Sequence, residues 1–353
     1  MNDRPRFDPS RRRFGMAALS ALAAAGLPSA AWPAASGPLL KPRRLRRGDL
    51  VGLIAPGGVM DDAQIERAVR NIESLGLRVK PGANVRLARG NYAGTPAQQL
   101  ADLHGMFADR EVKAVWGGRG GSGCSLLLPL IDYGLLRRHA KILVGFSDVT
   151  ALHLAIHRCA GLVTFHGPAA ISTFSDYSVR HLLAVLMEPQ PAFRIEPAPE
   201  NRAKAKQQPE FAERVFLPGS ATGRLVGGNL AVLSALVGTP YAARIEGRIA
   251  FLEEIGEAPY RVNRMLTQLV QSGALPRAAG VMLGVFSRCV APPGEATLTL
   301  EETLEDVLAP LGVPAAYGFS FGHVAHHFTI PLGIRARMDA QERTLTLLEP
   351  AVL

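Results

Sequence analysis

A short apolar run that ends in a glycine and leads straight into a helical pattern constrains this chain more than any other stretch. Ile142, Leu143 and Val144 form an uninterrupted apolar run of the kind found at the centre of a parallel sheet, and Gly145 ends it. Apolar residues then recur near helical spacing over residues 151–160. A strand joined to a helix by so short a turn predicts one unit of a helix-covered parallel sheet.

The turn itself, Gly145-Phe-Ser-Asp148, places a serine where the strand meets the helix. Free backbone N–H groups at the start of a helix favour negative charge, so Ser147 is a candidate acyl-transfer nucleophile beside an oxyanion hole. The alternative is that Ser147 or Asp148 caps the helix, since both residue types are preferred there. The hydrolase pattern G-x-S-x-G is incomplete, because Val149 occupies the place of the second glycine.

Strand and helix patterns alternate along the first half of the chain. Besides the run that ends at Gly145, strands are predicted within residues 49–58, 77–80, 112–116 and 162–166. Helices are predicted over residues 62–76, 96–108 and 124–136, the last interrupted near Pro129. This alternation predicts a parallel, helix-covered sheet in an N-terminal domain, residues 48–188.

A polar, proline-containing passage over residues 189–215 is interpreted as a linker. Beyond it, strands are predicted over residues 223–226, 248–252, 280–285, 334–338 and 344–348, and helices over residues 229–236, 259–272 and 300–308. Residues 216–353 are therefore expected to form a mixed α+β domain, and the fold class is α/β.

The first 35 residues differ in composition from the rest. Ser10-Arg-Arg-Arg-Phe14 matches the twin-arginine export pattern and precedes an apolar run over residues 16–27. That run is too short and too rich in alanine to span a membrane. We expect residues 1–35 to be a signal peptide, cleaved between Ala30 and Ser36, and the mature protein to be periplasmic without stable membrane insertion.

The charge of the mature chain is concentrated in one short segment. Residues 1–35 carry five arginines and two aspartates, a net +3 of the formal +9, so +6 remains. A basic leader over residues 36–47 contributes +5 of this through Lys41, Arg43, Arg44, Arg46 and Arg47. The nearly neutral remainder excludes a nucleic-acid-binding surface. The leader is interpreted as solvated, with attraction to an anionic envelope polymer as the alternative.

Three cysteines, Cys124, Cys159 and Cys289, are an odd number for an exported chain, and no pair has metal-ligand spacing. Proteins exported by the twin-arginine route commonly fold in the cytoplasm, where thiols stay reduced. We therefore expect three buried free thiols, and neither a metal nor an organic cofactor.

Three further stretches carry candidate chemistry. The glycine-rich run Trp116–Cys124 follows a predicted strand, so its backbone amides can approach an oxyanion closely; plain tight turns are the alternative. Glu253 follows an apolar run, and His323 follows a glycine at a strand-like end, where a histidine can act as a base. His326 and His327 raise a metal interpretation that no H-E-x-x-H spacing supports.

In combination these motifs resemble the LD-carboxypeptidases, the murein tetrapeptide carboxypeptidases that share a fold with the microcin C immunity peptidase. The resemblance runs from about Val51 to Val352. Its anchors, in chain order, are Leu53–Pro56, Arg119–Gly121 with Gly123, Gly145–Asp148, Phe165–Pro168, Gly227–Asn229, Leu252-Glu253, Pro259–Val262 with Arg264–Leu266, Phe321–His323 and Ile330–Gly333.

The resemblance implies a catalytic triad of Ser147, Glu253 and His323, with the serine in one domain and the other two residues across an interdomain cleft. In this family His323 would take the Ser147 proton and Glu253 would orient the imidazole. Backbone amides of Asp148 and of Gly120 or Gly121 are expected to form the oxyanion hole.

Arg119 and Asn229 are the candidate substrate-binding residues, because a carboxypeptidase must hold a terminal carboxylate and the peptide backbone. Arg261 and Arg264 are further candidates, although surface pairing with Glu254 or Glu257 is expected for at least one of them.

The resemblance also implies the substrate, a stem peptide or muropeptide of peptidoglycan that ends in D-alanine. An immunity-type peptidase acting on a peptidyl-nucleotide toxin is a second enzymatic option, and a non-catalytic periplasmic solute-binding protein is an option from another class. The oligomeric state stays open, with a homodimer as one option. Ser122 replaces the tyrosine usual in the family's glycine loop, which predicts that an aromatic wall of the substrate site is missing.

Overall fold

The computed structural model describes residues 38–294 and 296–353, which belong to one compact unit. The expected signal peptide, residues 1–35, lies outside this part of the chain. Within the described residues, no helix is both long enough and apolar enough to cross a bilayer.

The first half of the chain forms the predicted parallel sheet. Its strands are β1 (Leu50–Ile54), β2 (Arg78–Pro81), β3 (Val112–Gly117), β4 (Ile142–Gly145) and β5 (Phe165–His166). In the described chain the sheet has six strands in the order β12-β5-β4-β3-β1-β2. Only β12 (Ile330–Pro331), which the second half contributes, runs antiparallel to its neighbour. The central strands β1, β3 and β4 are buried except at Leu50 and Lys113, as their predominantly apolar sequences predict.

Helices cover this sheet. They are α1 (Asp62–Ser74), α2 (Pro96–Ala108), α3 (Cys124–Leu127), α4 (Tyr133–Arg138), α5 (Thr150–Ala160) and α6 (Asp176–Leu186). All but α6, which was not predicted, have the predicted boundaries to within a few residues. Capping boxes open α1 at Asp61 and α2 at Thr95. A short 3-10 segment with Pro129 near its start separates α3 from α4, which confirms the predicted interruption.

The second sheet is mixed, as expected for an α+β half. Its eight strands within the described residues are β6 (Phe193–Ile195), β7 (Arg214–Leu217), β8 (Ser220–Asn229), β9 (Ile249–Ile255), β10 (Gly280–Ser287), β11 (Ala315–Gly322), β13 (Arg335–Asp339) and β14 (Thr344–Leu347). Strands β8 to β11 are parallel at the centre, and antiparallel strands flank them. The helices that follow α6 are α7 (Pro199–Lys204), α8 (Leu230–Ala235), α9 (Pro259–Gln271) and α10 (Leu300–Leu308).

The passage interpreted as a linker is not structureless. Strand β6 lies within residues 189–215, and β7 overlaps the end of this passage. The two strands form the edges of the second sheet. They have only three and four residues, too few to establish the alternation that marks a half-buried strand. The boundaries at residues 188 and 216 stay a prediction, and β12 ties the two halves together through the first sheet.

The basic leader is packed against the rest of the chain. Leu45 is 1% exposed, Leu40 forms an isolated bridge with Leu162, and the Arg44 amide donates to the Leu353 carbonyl at 2.9 Å. The arginine side chains are exposed, as expected, but the backbone that carries them is fixed. The expectation of a freely solvated leader was therefore wrong for the backbone, because Leu45 inserts into the core.

The cysteines are free, as predicted. Cys124 and Cys289 are buried, whereas Cys159 is only half-buried. Burial raises the pKa of the Cys159 thiol to about 11, so this side chain stays protonated at neutral pH.

Candidate active site

Ser147 occupies a strained turn between β4 and α5. Its backbone lies in the left-handed region, with φ of 60°, and the described chain contains only two other non-glycine residues with positive φ. A single 3-10 turn, Ser147–Val149, connects the strand to the helix. Strain of this kind costs about 1–3 kcal/mol and persists where the surroundings impose it, which is the geometry of a nucleophile elbow.

The capping alternative was wrong. Neither the 3-10 turn nor α5 has a side-chain cap at its amino end. The Asp148 carboxylate accepts instead from the amide of Cys124, at 2.9 Å. This bond joins the elbow to the end of the glycine-rich run, so the two stretches that the sequence singled out form one structure.

The glycine-rich run lies directly against Ser147. A methyl group placed on Gly120 would sit 2.7 Å from the Ser147 Cβ and 3.1 Å from the Asp148 amide nitrogen. Gly121 has φ of 100°, and the Gly120 carbonyl accepts from the Gly58 amide at 2.7 Å. Only glycine permits so close an approach. The amides expected to form an oxyanion hole therefore lie beside the serine.

Glu253 and His323 form a pair in which the carboxylate is fully buried and the imidazole is half-buried. His323 Nδ1 lies 2.8 Å from Glu253 Oε2, so the protonated nitrogen donates to the carboxylate. Glu253 is fully buried within β9, not just after the strand as the sequence suggested, and its Oε1 atom has no hydrogen-bond partner. This bond leaves Nε2 as the ring nitrogen that can accept a proton.

The pKa of His323 reflects two opposing influences. Burial alone would lower the pKa, but the charge of Glu253 and the hydrogen bond to it outweigh burial and raise the pKa above its ordinary value of 6.5. The imidazolium form that a general base passes through is therefore stabilised in place.

Gly322, the last residue of β11, brings the pair together across an intervening strand. β10 lies between β9 and β11, so the two residues do not sit on neighbouring strands. Gly322 has φ of 110°, and a methyl group there would lie 2.8 Å from the Val285 carbonyl and 3.1 Å from the Glu253 Cβ. A larger residue at position 322 would push His323 away from Glu253.

The two halves of the candidate site meet through the residues that flank Ser147. The Phe146 ring lies 4.8 Å from the His323 ring, centroid to centroid. On the other side, Thr150 Oγ1 accepts from the Asn229 amide at 3.0 Å, and Asn229 lies in register with Glu253 on the neighbouring strand. The structure thus brings the three predicted triad residues into one neighbourhood.

Two further histidines, His166 and His327, surround Phe146 and were not singled out as parts of a catalytic site. The Phe146 ring lies 6.0 Å from His166 and 5.1 Å from His327. Burial lowers the pKa of His327 to about 3 and that of His166 well below 6.5, so both are neutral. Among the described residues, no group of three or more histidine, cysteine or acidic side chains could hold a metal ion.

The predicted substrate-binding residues differ in availability. The Arg119 guanidinium donates to the Val59 carbonyl at 3.0 Å, and no carboxylate of the described chain lies within ion-pair distance of it. Asn229 is 5% exposed: its Oδ1 accepts from the Val232 amide at 3.2 Å, and its Nδ2 donates to Glu254 at 3.1 Å. Arg119 is therefore free to meet a ligand, whereas Asn229 caps α8.

The other arginine candidates have surface partners. Arg261 pairs with Glu257 at 2.6 Å, as expected for one of the two, and Arg264 lies over the ring of Tyr260.

An aromatic ring is present near the glycine-rich run, although Ser122 replaces the tyrosine usual in the family. A methyl group on Gly123 would lie 2.7 Å from the Tyr92 ring, and the Asn91 side chain donates to Ser122 Oγ at 2.6 Å.

Comparisons with known proteins agree with this geometry. The family models for the LD-carboxypeptidase N-terminal and C-terminal domains match residues 51–167 and 222–338. A "Probable murein peptide carboxypeptidase" of Bacillus subtilis (strain 168) is 39% identical, over 87% of this chain and 94% of that protein. A murein tetrapeptide carboxypeptidase of Pseudomonas aeruginosa is 32% identical, over 82% of this chain and 92% of that protein.

A solved structure extends the likeness to three dimensions. The muramoyltetrapeptide carboxypeptidase of Oxalobacter formigenes superposes with a TM-score of 0.72 at 28% identity, covering 84% of this chain and 97% of that one. Both halves of the chain, with their two sheets, are thus matched by family members. The chain belongs to the LD-carboxypeptidase family of peptidases.

Proposed function

We propose that this protein is a serine carboxypeptidase that removes the terminal D-alanine from peptidoglycan tetrapeptides. It would hydrolyse the bond between an L-configured centre and that D-alanine. The observation that carries the proposal is the strained Ser147 elbow in the same neighbourhood as the Glu253–His323 pair. The names of the similar proteins supply the class of substrate.

The proposed reaction proceeds through an acyl-enzyme. Ser147 Oγ attacks the scissile carbonyl while His323 Nε2 accepts its proton, and Glu253 stabilises the resulting imidazolium. When the C–N bond breaks, His323 returns that proton to the leaving D-alanine amine. Water, deprotonated by His323, then attacks the acyl carbonyl, and His323 returns this proton to Ser147 Oγ as the ester bond breaks and the shortened peptide leaves.

Negative charge on the tetrahedral intermediate falls beside the glycine-rich run. We assign the stabilisation of this charge to the Asp148 amide and to an amide from Gly120 or Gly121, and the close approach of Gly120 to Ser147 supports the assignment. In serine proteases, a hydrogen-bond donor of this kind contributes about 3–4 kcal/mol to transition-state stabilisation.

Arg119 is the proposed partner of the substrate's terminal carboxylate. It is half-buried, on the loop that contacts Ser147, and has no acidic partner among the described residues. A guanidinium in that state can bind a carboxylate through two parallel hydrogen bonds.

The test is release of D-alanine from a defined tetrapeptide, followed by mass spectrometry. We expect cleavage of the free acid and almost none of a substrate whose terminal D-alanine is amidated, because the amide removes the charge that Arg119 would bind. Equal cleavage of both would contradict a carboxypeptidase. A serine-reactive probe adds a second readout, since covalent labelling at Ser147 separates an enzyme from a solute-binding protein.

We also propose that the twin-arginine pattern at Arg11 and Arg12 exports the enzyme to the periplasm. Replacing both arginines with lysine keeps the charge but removes the guanidinium groups of the motif. The precursor should then remain in the cytoplasm with unchanged activity in lysate. Unaltered delivery to the periplasm would show that residues 1–35 are not this signal.

A further inference from the structure

A cationic groove of about 720 Å³ lies at the amino ends of the central strands of the first sheet. Three of its cations, Arg43, Arg44 and Arg46, come from the packed basic leader. Four others come from distant parts of the chain: Arg110 and Lys113 around the start of β3, and Arg138 and Lys141 before β4. Only the fold brings these two sets together.

The groove and Ser147 lie at opposite ends of the strands of the first sheet. The groove is at the amino ends, and Ser147 follows the carboxyl end of β4. Lys141 precedes β4 and Ser147 follows it, so at about 3.3 Å per residue the two are separated by about 20 Å along the strand. The groove therefore takes no part in the proposed chemistry.

The positive charge of the groove is largely uncompensated. Among the described residues that line it, the only acidic side chain is that of Asp49. In the described chain, no carboxylate lies within ion-pair distance of Arg43, Arg44, Arg46 or Arg110, and all four side chains belong to exposed residues.

The two lysines of the groove satisfy backbone carbonyls, not acids. Lys113 Nζ donates to the Arg110 carbonyl at 2.6 Å, and Lys141 Nζ donates to the Met106 carbonyl at 2.9 Å. Arg138 reaches Asp132 only at 3.8 Å. Lys141 is buried, and burial lowers its pKa to about 8, so the positive potential that the groove presents to solvent comes mainly from the exposed arginines and Lys113.

We propose that this groove binds the phosphate headgroups of an anionic phospholipid bilayer and so holds the active-site edge away from the membrane. A wide, open groove with several exposed arginines suits a surface of many phosphates. Leu353, 72% exposed, gives it an apolar residue as well.

The test measures how the full-length chain partitions onto lipid vesicles. Wild-type protein is sedimented with vesicles of phosphatidylcholine containing one third phosphatidylglycerol, and with pure phosphatidylcholine. The groove variant Arg43→Gln/Arg44→Gln/Arg46→Gln removes three charges. A matched variant, Arg67→Gln/Arg180→Gln/Arg277→Gln, removes three exposed charges elsewhere and keeps the same N-terminal segment.

We expect the groove variant to lose about 100-fold in partition coefficient on the anionic vesicles, from about 1 kcal/mol for each cation near such a surface. The matched variant should lose less than about 5-fold, and raising the salt concentration should weaken wild-type binding. Cleavage of a soluble tetrapeptide should be the same in all three proteins, so failure of the proposed function would be seen separately.

Three results would overturn the proposal. Equal loss in both triple variants would mean that net charge alone drives binding. Equal binding to neutral vesicles would remove the role of phosphate charge. Binding to isolated murein but not to anionic vesicles would assign the groove to a cell-wall polymer.

Discussion

The nucleophile and the Glu253–His323 pair are built in different ways. Ser147 depends on a local feature, a left-handed residue held between β4 and α5. Glu253 and His323 are 70 residues apart in sequence. They meet only because the end of β11 lies close to β9, although β10 separates the two strands in the sheet. The position of Ser147 is therefore sensitive to changes in its own turn, whereas the Glu253–His323 pair is sensitive to packing among distant strands.

The largest expected effect removes the nucleophile. Ser147→Ala should lower kcat by about a million-fold while the protein stays folded, because the acyl-enzyme cannot form. Adding His323→Ala to this variant should cost almost nothing more, since the two residues act as a unit. Single-turnover assays with the tetrapeptide measure both losses, and near-normal activity in Ser147→Ala would remove the mechanism.

Glu253→Gln tests the distant half with a smaller loss. A neutral amide leaves the fold intact but disturbs the histidine tautomer, so kcat should fall by about ten-thousand-fold. The direction in which pH changes the activity of the wild-type enzyme follows from the same contact. Because Glu253 raises the His323 pKa above 6.5, wild-type kcat/KM should fall on acidification at a pH above 6.5.

In the Glu253→Gln variant, burial still lowers the His323 pKa but the opposing charge is gone. The acid limb of its residual activity should therefore move to lower pH. An acid limb that does not move would mean that Glu253 does not control the protonation of His323.

Gly120→Ala probes the surroundings of Ser147 without replacing a residue of the triad. The added methyl group would lie 2.7 Å from the Ser147 Cβ, so the loop must retreat and the oxyanion donors with it. We expect kcat to fall by about 100- to 1,000-fold. Gly105→Ala, in α2, is the matched control, since nothing lies within 4 Å of its added methyl group. It should leave activity unchanged and stabilise the helix by about 1 kcal/mol.

Asn229→Ala should have the smallest effect and decides between two roles. The structure makes Asn229 the cap of α8, so its loss should lower the free energy of unfolding by about 1 kcal/mol. Asn229→Ser keeps a capping oxygen and should recover most of that stability. A raised KM with unchanged stability in Asn229→Ala would favour the peptide-binding role predicted from the sequence.

Much of the first half of the fold could be predicted from local patterns. α2 was predicted with its observed bounds, and in the structure a capping box of Thr95 and Gln98 opens it. Strands β1 and β4 are continuous apolar runs and β3 is interrupted only by Lys113, so these strands are visible without tertiary information. The edge strands β6 and β7 were missed, because strands of three and four residues are too short to establish a distinctive pattern.

The sequence by itself determined the elbow, since Gly145-Phe-Ser-Asp148 sits between an apolar run and a helical pattern. It named Glu253 and His323 only through the order of motifs shared with a family. Tertiary structure alone decided that His323 reaches Glu253 over β10, that Phe146 contacts three histidines, and that Asn229 faces inward as a cap. The physical reason is that these contacts depend on strand order and on glycine backbone angles, which no periodicity along the chain encodes.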